Sequence, residues 1–275
     1  MKIMRMKNIV KYSCALLVVA IVVSCATVPL TGRKQLNLVN EAEIQQQAAL
    51  VYKDFLGDSK TKVIKSSSQA QMVQRVGKNI ANAVNRFLQD NGYGDQYDFH
   101  WEFNLIEEDQ INAWCMPGGK VAVYSGILPV TKNEAGLATV MGHEIAHAIA
   151  KHSAERMSQS IVAQAGGVAV DVATAEKSST TRAVLNTAYG LGGQLALLNY
   201  SRNQESEADR LGLVFMAMAG YNPNEAIGFW ERMAQAKQTQ GAAAPPEFLS
   251  THPSDARRIN DIKRLIPEAL TYYKK

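Results

Sequence analysis

The stretch that decides the fold is Met141-Gly142-His143-Glu144-Ile145-Ala146-His147, near the middle of a chain of 275 residues. His143 and His147 stand four positions apart, so on a helix they lie one turn from each other on the same face. Two imidazoles in this arrangement can bind one metal ion, and the carboxylate of Glu144 then lies near a water on that metal. The alternative is an ordinary pair of helical histidines, either solvated or buried.

The residues around this stretch predict a buried helix. Asn133 can cap its N-terminus, and Glu134 suits its first turn. Apolar side chains recur along the segment at helical spacing: Leu137, Val140, Met141, Ile145, Ala148 and Ile149. A core helix that carries two histidines and a glutamate inward must compensate their polarity, and a metal ion does so. The context therefore favours the metal over the ordinary pair.

A second acidic stretch, Glu205-Ser206-Glu207-Ala208-Asp209, is the expected partner of the histidine pair. Catalytic zinc usually takes three protein ligands and one water, so two histidines leave the site incomplete. Glu205 is the best candidate for the third ligand, and Asp209 lies one helical turn further on. Glu207 is the alternative third ligand.

Composition and charge indicate one sizeable globular domain and give no sign of nucleic-acid binding. The chain is 47% hydrophobic and 20% charged, which is typical of such a domain. Its formal net charge of +4 comes from four basic residues before Cys25, since the remainder has 25 basic and 25 acidic residues. A neutral domain of this kind offers nucleic acid no excess of positive charge.

Residues 1–24 are predicted to be a lipoprotein signal peptide. Basic residues flank a short apolar run over residues 13–23, which is too brief for a comfortable membrane span. The run ends in Val22-Val23-Ser24-Cys25, which resembles the bacterial lipobox, in which the cysteine is lipidated and becomes the mature N-terminus. Ala26 follows, and by resemblance to enterobacterial sorting a residue other than Asp permits delivery to the outer membrane. The alternative is an uncleaved membrane anchor.

The three cysteines of the chain leave no intramolecular disulfide to be expected in the mature protein. Cys14 leaves with the signal peptide, Cys25 carries the lipid, and Cys115 alone remains in the domain. We expect Cys115 to be a small buried side chain, because no catalytic partner is recognisable around it. The stability of the domain must then come from its core and its metal.

Residues 40–275 are predicted to form a single domain, with residues 25–39 as a tether before it. Helical periodicity marks residues 41–57 and 68–90, and Asn40 provides an N-cap for the first of these helices. The fold class is therefore α+β, mostly helical, with a small sheet or hairpin beside the histidine helix.

That small sheet is predicted directly before the histidine helix. Apolar and polar side chains alternate over residues 98–105, which predicts a strand with one buried face. A turn at Pro117-Gly118-Gly119 joins two further strands within residues 112–124 into a hairpin. The edge of this hairpin is a natural place for a peptide substrate to add as an extra strand. The alternative is a hairpin with a purely structural role.

Further helices are predicted after the histidine helix. Residues 160–204 are rich in Ala and Gly and predict two helices around a loop that would cover the site. A helix that begins near Glu205 ends at Gly220. Two more helices are expected over residues 223–236 and around residues 257–265, separated by a loose linker.

Together these motifs resemble the gluzincin family of zinc metallopeptidases that includes HtpX and the CAAX prenyl proteases, in its soluble periplasmic lipoprotein form. The resemblance spans roughly residues 30–266. It is carried by Thr31-Gly32-Arg33, Asn112-Ala113 with Pro117-Gly118-Gly119, the HEIAH run, Glu205 to Asp209 as ExxxD, and His252-Pro253 with Arg258-Ile259. HExxH alone would indicate only a zincin, whereas this combination is much more specific.

The resemblance implies a zincin-type catalytic domain that binds one zinc ion per chain. The implied zinc ligands are His143, His147 and Glu205, and Glu144 is the implied general base. The ExxxD register favours Glu205 over Glu207 as the third ligand.

Three residues around the zinc receive roles from the same resemblance. Asp209 would orient a ligand histidine, and the alternative for it is an ordinary acid on a helix surface. His252 and Arg258 would lie near the open metal position and stabilise the oxyanion or the substrate. Two alternatives stay open here: His252 as a latch on the fourth zinc position, or His252 in a helix N-terminal turn with Arg258 as a surface cation.

The implied function is hydrolysis of internal peptide bonds in misfolded or misassembled envelope proteins. The enzyme would be anchored through lipidated Cys25 at the periplasmic side of a bacterial membrane, the outer one by its sorting residue, without membrane spans or a C-terminal repeat domain. The alternative from another class is a non-hydrolytic, chaperone-like or scaffolding lipoprotein with a structural zinc. Glu144 argues against that alternative, because a structural site has no use for a base.

Overall fold

The computed structural model of this protein describes residues 25–173, 200–240, 248–249, 252 and 256–273. Its strands are β1 Cys25–Thr27, β2 Lys34–Leu36, β3 Val63–Ile64, β4 Glu102–Ile106, β5 Ala113–Met116 and β6 Lys120–Tyr124. Its α-helices are α1 Glu41–Gly57, α2 Ser68–Asp90, α3 Leu128–Thr131, α4 Glu134–Ile149, α5 His152–Ala173, α6 Arg202–Met218, α7 Glu225–Gln240 and α8 Ala256–Leu270. This mostly helical architecture with a small sheet confirms the predicted α+β class.

Some predictions concern residues outside the described part of the chain. They are the signal peptide over residues 1–24, most of the predicted cover between residues 174 and 199, most of the linker before residue 248, and the residue after His252. The boundaries of the predicted domain are not tested and stay predictions.

The four-stranded sheet has the order β3-β4-β6-β5, with β5 at one edge. Strands β5 and β6 form the predicted antiparallel hairpin, in which Trp114 pairs with Ala122. Strand β4 runs parallel to β6, and β3 pairs antiparallel with β4. The edge strand β5 is also packed beside α4, the helix that carries the two histidines.

The alternating stretch before the hairpin is a strand only in its second half, because β4 begins at Glu102. The amides of His100 and Glu102 instead donate to the carbonyls of Gly118 and Gly119, at 3.0 and 2.9 Å. Both glycines have positive φ angles, 79° and 86°, which other residues rarely adopt. The predicted start at residue 98 was therefore wrong, since this segment bonds to the hairpin turn.

Helices α4 and α6 make close contact because each has a glycine where they meet. A Cβ on Gly142 would lie 2.8 Å from the carbonyl oxygen of Gly212, and a Cβ on Gly212 would lie 2.8 Å from the amide nitrogen of His143. A side chain does not fit at such distances, so both positions require glycine. The contact places the backbone of α6 directly against the histidine helix.

The segment predicted as a tether folds in part as β1 and β2, which pair antiparallel with Cys25 opposite Leu36. In the turn between them, the amide of Gly32 donates to the carbonyl of Val28 at 2.9 Å. Its role as a tether stays a prediction. Over the described ranges, we find no helix with the length and apolarity needed to cross a membrane.

Candidate metal centre

Helix α4 presents His143 and His147 to the interior. Asn133 caps the helix as predicted, because its side chain accepts a hydrogen bond from the amide of Gly136 at 2.8 Å. Both histidines are buried, and their Nε2 atoms lie 3.1 Å apart. The four-residue spacing therefore brings two imidazole nitrogens to one point in the core.

Helix α6 brings Glu205 to the same point. A capping box between Ser201 and Gln204 fixes the first turn of this helix, which contains Glu205. Oε2 of Glu205 lies 3.5 Å from Nε2 of His143, and Oε1 lies 3.4 Å from Nε2 of His147. The carboxylate therefore faces both imidazoles.

His252 joins this group from the segment before α8. Its Nδ1 lies 2.9 Å from Oε1 of Glu205 and 3.2 Å from Nε2 of His143. Its amide donates to the carbonyl of Phe248 at 2.8 Å, and the two rings lie 4.6 Å apart. One donor atom from each of His143, His147, Glu205 and His252 lies within 4.8 Å of the others, so the four could hold a metal ion.

The spacing of these donor atoms fits zinc. Tetrahedral zinc with bonds of about 2.0–2.1 Å to nitrogen places its ligand atoms roughly 3.4 Å apart. The two Nε2 atoms lie 3.1 Å apart, the one of His143 lies 3.5 Å from Oε2 of Glu205, and the one of His147 lies 3.4 Å from Oε1 of Glu205. Imidazoles and a carboxylate are also zinc ligands by their chemistry. Nδ1 of His252 lies 3.2 Å from Nε2 of His143 and 2.9 Å from Oε1 of Glu205, so it is close enough to these two donors to act as a fourth ligand.

Glu144 lies beside the donor group as a buried carboxylate. The backbone N–H of Cys115 in β5 lies on the same side and lowers the pKa of Glu144, and Oε1 of Glu144 lies 3.3 Å from Nε2 of His252. Burial raises the pKa of Glu144 to about 7, and the charge of Glu205 adds to the rise, while His252 and Arg258 oppose it. A carboxyl group with this pKa can exchange a proton near neutral pH.

Asp209 and Arg258 contact two of the proposed ligands. Oδ1 of Asp209 lies 3.0 Å from Nδ1 of His143, so it can orient the ring whose Nε2 faces the metal. Arg258 donates through Nε and Nη2 to Asp209 at 2.9 and 2.7 Å, and its Nη1 lies 2.9 Å from Oε2 of Glu205. Its guanidinium stacks 3.7 Å from the ring centre of Trp230.

Both Asp209 and Arg258 are buried, which excludes the alternatives of a surface acid and a surface cation. The contacts of Arg258 include Glu205, a proposed ligand, and Asp209, the carboxylate behind His143. Contact of Arg258 with an oxyanion or a substrate stays a prediction.

Glu207, the alternative third ligand, points elsewhere. Its Oε2 accepts from Nε of Arg33 at 2.8 Å and lies 2.9 Å from Nε2 of His152, and its Oε1 accepts from the hydroxyl of Thr31 at 2.6 Å. Burial alone would raise the pKa of Glu207, but these hydrogen bonds lower it to about 2. The structure thus brings Glu205, and not Glu207, to the histidine pair.

Two residues of the centre had no role predicted from the sequence. The ring of Tyr200 stacks on that of His147 with 3.8 Å between centroids, and its hydroxyl lies 3.3 Å from Oγ of Ser153. Nδ1 of His152 lies 2.9 Å from Nδ1 of His147. No spacing marks Tyr200, whereas a third histidine five residues after His147 was a signal that could have been followed.

The part of the chain that contains the four donor residues is similar to known proteins. Residues 67–266 match the family described as Peptidase family M48. The chain is 34% identical over 245 residues, 88% of its length, to the mitochondrial metalloendopeptidase OMA1 of Schizosaccharomyces pombe. It is 27% identical over 245 residues, again 88%, to the mitochondrial metalloendopeptidase OMA1 of Homo sapiens. It is 36% identical over 166 residues, 58% of its length, to the putative beta-barrel assembly-enhancing protease of Vibrio cholerae.

These relatives are longer than the matched chain. The chain covers 66% of the Schizosaccharomyces pombe protein, 46% of the Homo sapiens protein and 33% of the Vibrio cholerae protein. The shared part is therefore a third to about two thirds of each relative.

Proposed function

Because this chain belongs to peptidase family M48, a family of zinc-dependent metallopeptidases, we propose that it is an endopeptidase that cleaves internal peptide bonds of proteins. The observation that carries the proposal is the carboxylate of Glu144 beside a donor group with the spacing of zinc ligands. Two of the relatives are named metalloendopeptidases, and the chain spans only part of their length. Their activity is therefore part of the proposal.

The residues of the centre divide the reaction between them. His143, His147 and Glu205 would hold the zinc ion. When bound, zinc supplies a Lewis acid that polarises the peptide carbonyl and lowers the pKa of an attacking water. Glu144 takes a proton from that water and later delivers it to the nitrogen of the leaving amine. Burial raises the pKa of Glu144 to about 7, which suits a group that must both accept and return a proton.

The edge strand β5 supports a polypeptide substrate. Within the described part of the chain β5 is an edge strand, and it packs beside α4, the helix that carries Glu144. An extended peptide that added to this edge would be aligned by main-chain hydrogen bonds and would run past Glu144. Such a site accepts protein main chain of many sequences, which suits a role on misfolded or misassembled proteins.

We place the enzyme on the periplasmic side of a bacterial membrane, anchored through lipidated Cys25, with envelope proteins as its substrates. The basic and apolar pattern before Cys25 supports this location. The name of the Vibrio cholerae relative, which refers to β-barrel assembly, supports an envelope role. The mitochondrial relatives show that a similar catalytic domain also occurs in another compartment.

One observation favours a second candidate function. His252 is spaced as a fourth protein ligand, and a zinc site with four protein ligands is characteristic of structural zinc. A lipoprotein with such a site would be a chaperone-like or scaffolding protein that cleaves nothing.

Cleavage of an unstructured protein such as casein by the zinc-loaded chain separates the two functions. We expect Glu144→Gln to keep one zinc per chain and to lose about 10²–10⁴-fold in kcat/KM, because the amide cannot act as a base. The control His147→Ala should lose both zinc and cleavage. Turnover near that of the unmodified chain in Glu144→Gln would refute the proposal. A zinc-loaded chain that cleaves nothing, with and without His252→Ala, would favour the structural role.

A further inference from the structure

The N-terminal strand pair reaches the metal centre through a chain of hydrogen bonds. From the turn between β1 and β2, the hydroxyl of Thr31 and Nε of Arg33 donate to the carboxylate of Glu207 at 2.6 and 2.8 Å. Oε2 of Glu207 lies 2.9 Å from Nε2 of His152. Nδ1 of His152 lies 2.9 Å from Nδ1 of His147, on the opposite side of that ring from the metal-facing nitrogen.

When His147 binds a metal, only one arrangement of protons gives every hydrogen bond in this series both a donor and an acceptor. His147 must keep Nε2 free of hydrogen, so its proton lies on Nδ1 and is donated to Nδ1 of His152. His152 then carries its own proton on Nε2 and donates it to Glu207. In the reverse arrangement, His147 would carry its proton on the metal-facing nitrogen, and His152 would turn a lone pair toward a carboxylate. The carboxylate of Glu207 selects the first arrangement.

We propose that His152 and Glu207 are positioning residues that hold His147 in its metal-binding tautomer, and that the β1–β2 turn keeps Glu207 in place. This role rests on the zinc site of the proposed function and extends it to an N-terminal segment outside the matched residues 67–266.

The two histidine ligands then differ in how they are supported. His143 has a carboxylate in direct contact, since Nδ1 lies 3.0 Å from Oδ1 of Asp209. For His147, the carboxylate of Glu207 acts through one intervening imidazole. Ligand histidines commonly form a hydrogen bond to a carboxylate, a carbonyl or a water through their second nitrogen. In this centre the second nitrogen of His147 contacts His152, and His152 in turn contacts the carboxylate.

The β1–β2 turn holds its donors in a fixed position. Leu30 has a φ of 66°, a left-handed conformation that is strained for leucine, and Gly32 has a φ of 68°. Arg33 also donates from Nη1 and Nη2 to Glu155 at 2.7 and 3.0 Å. Two acidic partners therefore orient the guanidinium of Arg33, and the turn fixes Thr31 beside it. A change that makes this turn less rigid should therefore weaken zinc binding.

Zinc affinity tests this role without any measurement of cleavage. Competition of the full chain with a chelator gives the zinc dissociation constant, and we expect His152→Leu to weaken binding by about 10–100-fold. His152→Gln should recover part of the loss, because its amide oxygen can accept a hydrogen bond from Nδ1 of His147 and its amide NH2 can donate one to Glu207. A purely structural role of His152 would give no such recovery when both variants have the same melting temperature.

Arg33→Ala tests the contribution of the turn. Because the change removes a cation from the buried carboxylates of Glu155 and Glu207, the melting temperature of the variant is measured beside its zinc affinity. This change should weaken zinc binding in the same direction as His152→Leu but by less. The matched control is Arg210→Ala, which removes an arginine–glutamate pair with Glu268 from the same helix as Glu207. Arg210→Ala should leave the zinc dissociation constant unchanged.

Nitrogen-15 NMR of the histidines in the zinc-loaded chain reads the tautomers directly. We expect a proton on Nδ1 of His147 and a proton on Nε2 of His152. A proton on Nδ1 of His152 would overturn the proposed role, and so would unchanged zinc affinity in both His152→Leu and Arg33→Ala.

These readouts also separate this role from the proposed function. Zinc affinity that responds as expected in a chain that cleaves no protein would refute the endopeptidase alone. Cleavage by the chain together with unchanged zinc affinity in His152→Leu and Arg33→Ala would refute the positioning role alone. A chain that binds no zinc would refute both.

Discussion

Nδ1 of His252 lies 2.9 Å from Oε1 of Glu205. A residue from the segment before α8 thus contacts a proposed ligand in the first turn of α6, although the two are 47 positions apart. The contact adds a fourth donor to the three that were predicted. A zinc site with four protein ligands is closed, whereas a catalytic site keeps one position for water or substrate. If Nδ1 of His252 binds the zinc ion, catalysis by this centre requires that His252 leave that position.

Substitution of each of two glutamates in α6 tests which of them is the third zinc ligand. We expect Glu205→Ala to reduce zinc well below one per chain, because its carboxylate lies 3.5 and 3.4 Å from the two imidazole nitrogens. Glu207→Ala should still reach one zinc per chain at saturating metal, because Glu207 faces Arg33 and His152. Metal analysis after dialysis against excess zinc decides. Full zinc in Glu205→Ala together with loss in Glu207→Ala would reverse this assignment.

The local features of this chain could be predicted because they depend on neighbours in sequence. The spacing of His143 and His147 sets their common face, and Asn133 caps their helix as expected. The hairpin within residues 112–124 was likewise predictable from its turn residues. In each case a short-range rule of backbone geometry is sufficient.

The remainder of the centre depends on contacts that no spacing encodes. Glu205 and Glu207 are two residues apart on one helix. The ExxxD register of the family resemblance favoured Glu205, but only the packing of α6 against α4 shows which carboxylate faces the histidines. That packing depends on Gly142 and Gly212, whose importance shows only when the two helices are in contact. His152 joins the centre through a carboxylate that is itself held from the distant N-terminal turn.

Lipidation is expected at Cys25. If residues 1–24 are removed and the new terminus is acylated, intact-protein mass spectrometry of the membrane fraction should show the mass of a di- or triacylated chain that starts at Cys25. Cys25→Ser should abolish the lipid mass and alter processing, because serine lacks the thiol that receives the lipid. Cys14→Ser is the control, since Cys14 is expected to leave with the signal and should not affect the mature mass. A lipid-free mass in the unmodified protein would contradict the lipobox assignment.

Arg258→Ala should destabilise the fold as well as the metal site. The change leaves the buried carboxylates of Asp209 and Glu205 without their cation, and breaking a buried ion pair costs about 3–5 kcal/mol. Arg258→Lys should restore little, because an ammonium cannot reproduce the paired contacts to Asp209 or the stacking on Trp230. Denaturant unfolding measures the free energy of unfolding.

The matched control for Arg258 is Arg257→Ala. Arg257 has a side chain that is 76% exposed, so its removal should change the free energy of unfolding by less than about 0.5 kcal/mol. If Arg258→Ala lowers turnover while stability and zinc affinity stay unchanged, Arg258 acts on the substrate and not through Glu205.

His252 has two possible roles with opposite signatures. As an oxyanion donor it would stabilise charge only in the transition state, and His252→Ala should lower turnover by roughly a hundredfold or more. As a latch it would fill the fourth position in the resting chain, and His252→Ala should raise turnover. The sequence pattern favoured the donor, but Nδ1 lies within 3.2 Å of both Glu205 and His143. We therefore expect the latch.

Peptidase rates at fixed zinc occupancy decide between these roles. His252→Ala should cleave a short peptide faster than the unmodified chain, because water and the peptide carbonyl gain the position that Nδ1 fills. His100→Ala is the control, since His100 has a side chain that is 74% exposed and should leave the rate unchanged. A fall of about a hundredfold would assign His252 to the transition state. An unchanged rate would remove His252 from the reaction, and the 3.3 Å contact between Nε2 and Glu144 would then serve only the resting state.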